Sequence, residues 1–146
     1  FTISFVILYA YLLLNPKLFN VITTHTVVVL KKLKISLSEI SINIISKKKY
    51  LESDLTLKML ADSLEIDQTD ITDAIVTSEH TNYKDFINSI RLNEMIINMN
   101  NPIYIDKTIY GIAQDFGFNS ESTFHRVFKK IYKLTPKQYF SKPDNK

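Results

Sequence analysis

The stretch IAQDFGFNSESTFHRVFKK, residues 112–130, contains two helical patterns separated by a short turn. Before the turn, apolar residues recur with the spacing of one helix face: Ile109, Ile112, Ala113 and Phe116. After the turn, the same spacing predicts the inward face of a second helix: Phe124, Val127, Phe128 and Ile131. Gly117 begins the turn and permits the positive φ of a helix C-terminus. Helix, three-residue turn and helix form the plan of a helix-turn-helix unit.

A second unit with the same pattern lies about 50 residues earlier in the chain. Its first helix carries one apolar stripe, formed by Leu57, Leu60, Ala61 and Leu64. Residues 65–67 make the turn, and Asp67 is a predicted N-cap. Its second helix turns three residues inward: Ile71, Ala74 and Ile75. One unit is weak evidence because many helical bundles contain one, but two units with matching inner residues strongly favour this architecture.

Between the units, residues 83–99 predict one long helix with apolar residues on two faces. One face holds Tyr83, Phe86, Ile87, Ile90 and Ile97, and the other holds Leu92, Met95, Ile96 and Met99. A helix that is apolar on two faces must be covered on both, so a subdomain packs on each side of this connector. A helix of this length spans about 25 Å. The two second helices can therefore lie about one DNA turn, about 34 Å, apart.

The composition excludes several classes of site. The chain has no cysteine, which excludes disulfides, cysteine-ligated zinc, iron–sulfur clusters and a thiol nucleophile. Its three histidines are far apart in sequence, and its two glycines cannot form a phosphate-binding or dinucleotide-binding glycine loop. Neither paired carboxylates nor a Ser/His/Asp arrangement stands out. We therefore predict a protein that is not an enzyme and needs no cofactor or metal. The abundance of isoleucine, lysine and asparagine indicates an AT-rich, bacterial genome.

The formal net charge of +3 combines segments of opposite sign. Residues 47–80 hold four lysines against eight acidic residues, a net charge of −4. Residues 107–146 hold Arg126 and seven lysines against three acidic residues, a net charge of +5. The main electrostatic footprint of a bound polyanion is therefore predicted on the last 40 residues.

Residues 1–14, FTISFVILYAYLLL, carry no charged side chain. As a helix they rise about 21 Å, less than the hydrocarbon core of about 30 Å, and no basic region of a signal peptide precedes them. One interpretation is the end of a membrane helix that starts upstream, followed by lysines on the cytoplasmic side: Lys17, Lys31, Lys32 and Lys34. The other interpretation is a buried helix or strand of a truncated soluble domain.

The chain resembles the AraC/XylS family of bacterial transcription regulators over residues 49–140. The pattern IA…GF…S..F.R.FKK…TP..Y at residues 112–139 is similar to the family signature, and residues 86–88 and 91–92 match the connector helix. The resemblance implies an all-α fold of seven helices, with two helix-turn-helix subdomains joined by a long connector helix. Here a hydrophobic N-terminal helix is expected to precede them. Some family members carry this domain behind membrane helices, and residues 12–19 resemble the exit of the last one.

The expected domain organisation follows from this resemblance. Residues 1–20 are the end of a transmembrane helix, residues 21–46 a linker or juxtamembrane segment, and residues 47–141 the DNA-binding domain. Within that domain the first helix-turn-helix covers about 57–77, the connector about 83–99 and the second helix-turn-helix about 108–131. The DNA-binding domain is then cytoplasmic and tethered to the inner membrane, and the alternative is a cytoplasmic protein without a tether.

The resemblance implies a sequence-specific regulator that reads the major groove of double-stranded DNA mainly through the second unit. The family's base-reading positions fall on Glu121, Ser122, Thr123 and Arg126. A guanidinium such as that of Arg126 can bind guanine with two hydrogen bonds. Glu121 either accepts a hydrogen bond from cytosine or is simply a first-turn acid favoured by the helix dipole. The predicted phosphate contacts are Lys129, Lys130 and Lys133.

The first unit departs from the family pattern. Gln68, Thr69 and Thr72 can still read bases, but Asp73 stands where many members have arginine, and Glu65 replaces the turn glycine. Smaller departures are Met95, where a small residue is usual, and Lys133, where glycine is usual. Carboxylates facing the DNA backbone are repulsive. The alternative function is therefore a protein-interaction module that keeps the fold but has lost DNA binding. Expected partners are double-stranded DNA, RNA polymerase for an activator, a second copy of the chain, and the membrane.

Overall fold

The computed structural model describes Tyr11, residues 14–17, Asn20 and residues 36–141. The chain divides into two compact parts, Phe1–Lys34 and Ile35–Lys146. In the part Phe1–Lys34, the side-chain Nδ2 of Asn15 donates a hydrogen bond to the Tyr11 carbonyl oxygen at 2.9 Å. Most of the predicted membrane segment and residues 21–35 of the predicted linker lie outside the described residues. Among the residues that are described, none of the helices has the length and apolar character needed to span a bilayer.

Residues 36–141 form seven α-helices, and this part of the chain contains no strand. They are α1 (Leu37–Ser46), α2 (Leu57–Leu64), α3 (Gln68–Val76), α4 (Tyr83–Asn98), α5 (Ile109–Asp115), α6 (Glu121–Tyr132) and α7 (Pro136–Phe140). Short 3₁₀ turns occur at Lys49–Leu51 and Pro102–Tyr104. The predicted all-α class is confirmed: the pairs α2–α3 and α5–α6 are the two helix-turn-helix units, and α4 connects them. The expected hydrophobic N-terminal helix falls mostly on undescribed residues.

Polar N-cap residues set where most of these helices begin. A side-chain oxygen accepts a hydrogen bond from a first-turn amide at six starts: Ser36, Thr56, Asn82, Thr108, Ser120 and Thr135. Each bond satisfies an amide that has no partner within the helix, which typically contributes about 1 kcal/mol. Asp67 occupies the predicted N-cap of α3, but its side chain makes no capping hydrogen bond.

The connector α4 lies at the centre of the core and is buried on two faces, as its sequence predicts. Phe86, Ile87 and Ile90 are buried on one face, and Leu92 and Met95 are buried on the other. Two predicted inward residues lie differently. Ile97 is 73% exposed because the last turn of α4 is left uncovered on that side. Ile131 is 39% exposed because it lines an open groove beside α1 and α4.

Helix α1 packs into the same core. Its Ile40 and Ile44 side chains have no solvent exposure, and the helix contacts α3 and the 3₁₀ turn at Lys49–Leu51. A capping box at Ser36 and Glu39 fixes its start. The described residues of the expected linker therefore contain a helix belonging to the compact part Ile35–Lys146.

The turn of the second helix-turn-helix unit closes against α4 and the segment before α2. Gly117 has φ +86°, and a Cβ atom there would lie 2.5 Å from the Tyr50 carbonyl oxygen and 2.9 Å from Arg91 Nε. Arg91 of α4 is only 7% exposed. It donates hydrogen bonds to the Tyr50 carbonyl from Nε (2.9 Å), to the Glu52 carbonyl from Nη2 (2.6 Å) and to Asn88 Oδ1 from Nη1 (3.3 Å). All three acceptors are neutral, and burial lowers the pKa of the guanidinium.

Candidate nucleic-acid interface

Helix α6 is held in the domain by a cluster of buried aromatic rings. Phe124, Val127 and Phe128 are buried, as predicted. The Phe124 ring lies 5.4 Å from Phe118 and 5.7 Å from Phe128, with edge-to-face geometry in both pairs. Helix α7 covers the other side through the Tyr139 ring, 5.4 Å from Phe128. Because one face is fixed in this way, the opposite face of α6 is presented to solvent in one orientation.

The exposed face of α6 carries most of the residues predicted to contact bases. Glu121, Ser122 and Arg126 are exposed, whereas Thr123 is half-buried. No acidic side chain of the described residues pairs with Arg126, so its guanidinium is available to an incoming acceptor. The Thr123 hydroxyl accepts a hydrogen bond from Ser120 Oγ at 2.9 Å, which ties it to the helix N-cap.

Glu121 and His125 lie one turn apart on the exposed surface of α6. Glu121 Oε1 is 3.7 Å from His125 Nε2, close enough for an ion pair when the imidazole is protonated. Both side chains are at least half exposed. The Glu121 carboxylate therefore remains open to a hydrogen bond from a base.

The three lysines predicted to contact phosphate lie in different environments. Lys129 is exposed and has no ion-pair partner among the described residues. Lys130 Nζ lies 2.7 Å from each carboxylate oxygen of Asp85 on α4. Lys133 ends α6 with φ 59°, and its Nζ donates to the Lys130 carbonyl oxygen at 2.8 Å. The structure thus leaves Lys129 as the lysine of this set with an uncommitted ammonium group.

The corresponding face of α3 is acidic. Ile71 and Ile75 are buried as predicted, and Gln68, Thr69 and Thr72 are exposed. The Thr72 hydroxyl donates to the Gln68 carbonyl oxygen at 2.8 Å and so stays along its own helix. Four exposed acidic residues of the first helix-turn-helix unit have no ion-pair partner in the described part of the chain: Asp62, Glu65, Asp67 and Asp73. The exposed faces of the two helix-turn-helix units, on α3 and α6, therefore present opposite charge.

An open groove of about 750 Å³ lies beside the start of α6. Its lining includes the N-cap residues of three helices, Thr56 of α2, Asn82 of α4 and Ser120 of α6. Asn119 Nδ2 donates to the Ser53 carbonyl oxygen at 3.2 Å and joins the loops on two sides of the groove. Helix N-termini carry partial positive charge, which favours an anion. Each cap is visible in the sequence, but their meeting at one groove depends on tertiary packing and was not predicted.

Comparison with known families identifies the arrangement. A family model of a helix-turn-helix domain matches residues 60–142, more than half of the chain. The chain belongs to the AraC-type helix-turn-helix family. The family resemblance predicted from residues 49–140 is thereby confirmed.

Curated relatives of this AraC-type chain are longer proteins. It is 29% identical over 90 residues to an uncharacterised HTH-type transcriptional regulator of Staphylococcus aureus strain MSSA476, covering 62% of this chain and 12% of the relative. It is 32% identical over 95 residues to the HTH-type transcriptional activator CfaD of Escherichia coli, covering 62% of this chain and 34% of the relative. The chain thus spans well under half the length of each relative.

Solved structures share the fold. The C-terminal domain of the two-component response regulator yesN from Fusobacterium nucleatum matches with TM-score 0.54 and 26% identity, over 70% of this chain and 95% of that domain. A DNA-binding transcriptional dual regulator from Escherichia coli K-12 matches with TM-score 0.55 over 70% of this chain and 91% of that one. At 20% identity, the second match supports the fold alone.

Proposed function

We propose that residues 47–141 form the DNA-binding domain of a transcription regulator, which reads the major groove of double-stranded DNA mainly through α6. The observation that carries the proposal is Arg126, which is exposed and has no acidic partner in the described part of the chain, on a helix whose opposite face is fixed by buried aromatic rings. The names of the relatives support it, since both are called transcriptional regulators or activators. In this proposal the chain binds DNA and has no catalytic role.

Each residue of the exposed α6 face has a chemical role in this proposal. Arg126 donates two hydrogen bonds to a guanine edge, and Glu121 accepts one from a cytosine amino group. Ser122 and Thr123 contact neighbouring base edges at the start of the helix, where recognition helices approach the groove floor. Lys129 and Lys133 contact phosphate oxygens, which adds affinity without sequence preference. Lys130, the third lysine predicted to contact phosphate, is paired with Asp85 in the structure.

The first unit contributes less in this proposal. Gln68, Thr69 and Thr72 supply hydrogen bonds to bases, while the acidic residues around them oppose a phosphate backbone. The number of base pairs that the protein selects therefore measures how far α3 takes part. If the selected site is a single segment, α6 alone reads the bases. If it consists of two segments about one DNA turn apart, both α3 and α6 read bases.

Affinity selection of genomic DNA fragments by the full chain tests the proposal. The wild type and Arg126→Ala are run in parallel at about 150 mM salt, near physiological ionic strength. We expect the wild type to enrich one motif and the variant to lose preference at one position within it. Recovery of background fragments by both proteins contradicts DNA reading.

The acidic face of α3 favours a second candidate function, a protein-interaction module that keeps the fold without binding DNA. The observation in its favour is the four exposed acidic residues of the first helix-turn-helix unit, which have no ion-pair partner among the described residues. It predicts no DNA preference in the selection, together with capture of a defined protein partner. The basic face of α6 makes DNA binding the stronger proposal.

For the rest of the chain we propose the organisation expected from the sequence. Residues 1–20 end a transmembrane helix and residues 21–46 follow it, so that the DNA-binding domain is tethered to the inner membrane and faces the cytoplasm. The uncharged residues 1–14 and the lysines after them support this arrangement. The alternative is an untethered cytoplasmic protein. The name of the Escherichia coli relative supports an activator. RNA polymerase is the partner that we propose for an activator, and a homodimer is a further candidate assembly.

A further inference from the structure

The ion pair between Lys130 and Asp85 joins the second recognition helix to the connector. Lys130 Nζ lies 2.7 Å from both carboxylate oxygens, although the two residues are 45 positions apart in sequence. The Asp85 side chain is 17% exposed and that of Lys130 is 49% exposed. The contact is therefore partly shielded from water, unlike a fully exposed surface pair, which typically contributes little.

Groups other than Lys130 also hold the Asp85 carboxylate in place. Asp85 lies in the first turn of α4, where the helix dipole favours negative charge. Its Oδ2 accepts a hydrogen bond from the Thr81 amide at 3.0 Å, and His80 Nδ1 lies 3.9 Å away. Burial alone raises the pKa of Asp85, but the hydrogen bonds from Lys130 and the Thr81 amide keep it below its ordinary value. Lys130 thus meets a rigid, ionised acceptor.

Lys130 is well placed to set the direction of α6. It follows Arg126 by four residues, which is about one helical turn, so a rotation of α6 at Lys130 also moves Arg126. The buried rings of α6 hold one face of the helix against the core. A charge-assisted hydrogen bond from Lys130 adds a directional contact outside that ring cluster. The pair with Asp85 supplies this directional contact.

We propose that Asp85 is a positioning residue for DNA recognition, which orients α6 through Lys130, and that Lys130 does not contact the DNA backbone. The inference rests on the proposed DNA-binding function and concerns how the same surface is held. The three N–H donors of the Lys130 ammonium already face Asp85 Oδ1, Asp85 Oδ2 and, at 3.5 Å, Thr81 Oγ1, so a phosphate contact competes with these bonds. Loss of the bonds to Asp85 leaves a partly buried carboxylate without its nearest cation. Lys129 lacks such a partner among the described residues and is the matched comparison.

The test measures DNA affinity of the full chain as a function of salt, on the selected site and on a scrambled site. We expect Lys129→Met to lower the slope of log affinity against log salt by about 0.9, the value of one phosphate contact. Lys130→Met leaves the slope unchanged but lowers the specific affinity about twofold or more, as expected for coupled contacting residues. Lys130→Arg keeps the pair and restores the specific affinity.

Asp85→Asn, alone and combined with Lys130→Met, completes a double-mutant cycle on this ion pair. We expect it to lower the ratio of specific to non-specific affinity as much as Lys130→Met does, with no further loss in the double variant. A role in stability alone lowers the melting temperature of each variant but leaves this ratio unchanged when binding is measured well below that temperature.

Two results overturn the inference. One is a Lys130→Met slope that falls as far as that of Lys129→Met, which makes Lys130 a phosphate contact. The other is additive losses from Asp85→Asn and Lys130→Met. If the wild type shows no preference for any site, the proposed DNA-binding function fails and the positioning role fails with it. If the wild type binds its site and only the variants depart from expectation, the positioning inference alone fails.

Discussion

Gly117→Ala tests whether the turn of the second helix-turn-helix unit depends on the missing Cβ atom. The left-handed conformation at φ +86° costs a residue with a Cβ about 1–2 kcal/mol. The added Cβ also lies 2.5 Å from the Tyr50 carbonyl oxygen, so that carbonyl must move. It accepts the hydrogen bond from Arg91 Nε, and a hydrogen bond to a charged group contributes about 1.5–3 kcal/mol. We expect the free energy of unfolding to fall by about 2.5–5 kcal/mol, the sum of the two effects.

Urea unfolding followed by circular dichroism measures this loss, with Gly111→Ala as the control. Gly111 lies inside α5, without a positive φ, and its Cβ would meet only Thr108 Oγ1 at 3.1 Å and Lys107 Cβ at 3.9 Å. An alanine inside a helix is favoured over glycine by about 0.5–1 kcal/mol, so we expect the control to change stability by no more than about 1 kcal/mol. A loss below about 1 kcal/mol for Gly117→Ala refutes the reasoning, because the strain of the φ angle alone then exceeds the measured effect.

Two further predictions concern Glu65 and Asp85. Glu65 has φ 56° at the turn of the first helix-turn-helix unit, a conformation that costs a residue with a Cβ atom. In urea unfolding, Glu65→Gly should therefore raise the free energy of unfolding by about 1 kcal/mol, whereas Glu65→Ala should not. Equal effects of the two substitutions contradict the strain argument. The pKa of Asp85 is lowered in the folded state, so its ionised form stabilises the fold above the unfolded pKa of about 3.9, and this contribution is lost as pH falls through the folded pKa. The melting temperature of Asp85→Asn should therefore lie below that of the wild type at neutral pH and approach it below about pH 4, and a difference independent of pH excludes the charge as its cause.

The helices were predictable because their causes lie close together in sequence. The stripe at Phe124, Val127 and Phe128 needs only the helical period, and these residues are buried. Gly117 was predicted to allow a positive φ, and its φ is +86°. The family assignment was predictable for the same reason, since its pattern is a run of neighbouring residues.

The contacts that hold the candidate site depend on residues far apart in sequence. Nothing local to Lys130 indicates that Asp85 lies 2.7 Å away, so both were open to other roles. Arg91 matched the connector pattern, but its bonds to two backbone carbonyls require the 3₁₀ turn before α2 to be in place. Ile97 and Ile131 fit a helical stripe, yet their exposure depends on where neighbouring helices end. Periodicity assigns a face to a residue and does not say how far that face is covered.

A comparison of Arg126→Ala with Lys129→Met tests the central claim most directly. Fluorescence anisotropy measures the affinity of each full-length variant for the selected DNA site and for a scrambled site at one salt concentration. We expect Arg126→Ala to lose about 1–3 kcal/mol on the selected site and much less on the scrambled site, because a base contact carries specificity. We expect Lys129→Met to weaken both sites equally. Equal losses for both variants on both sites contradict sequence reading by α6.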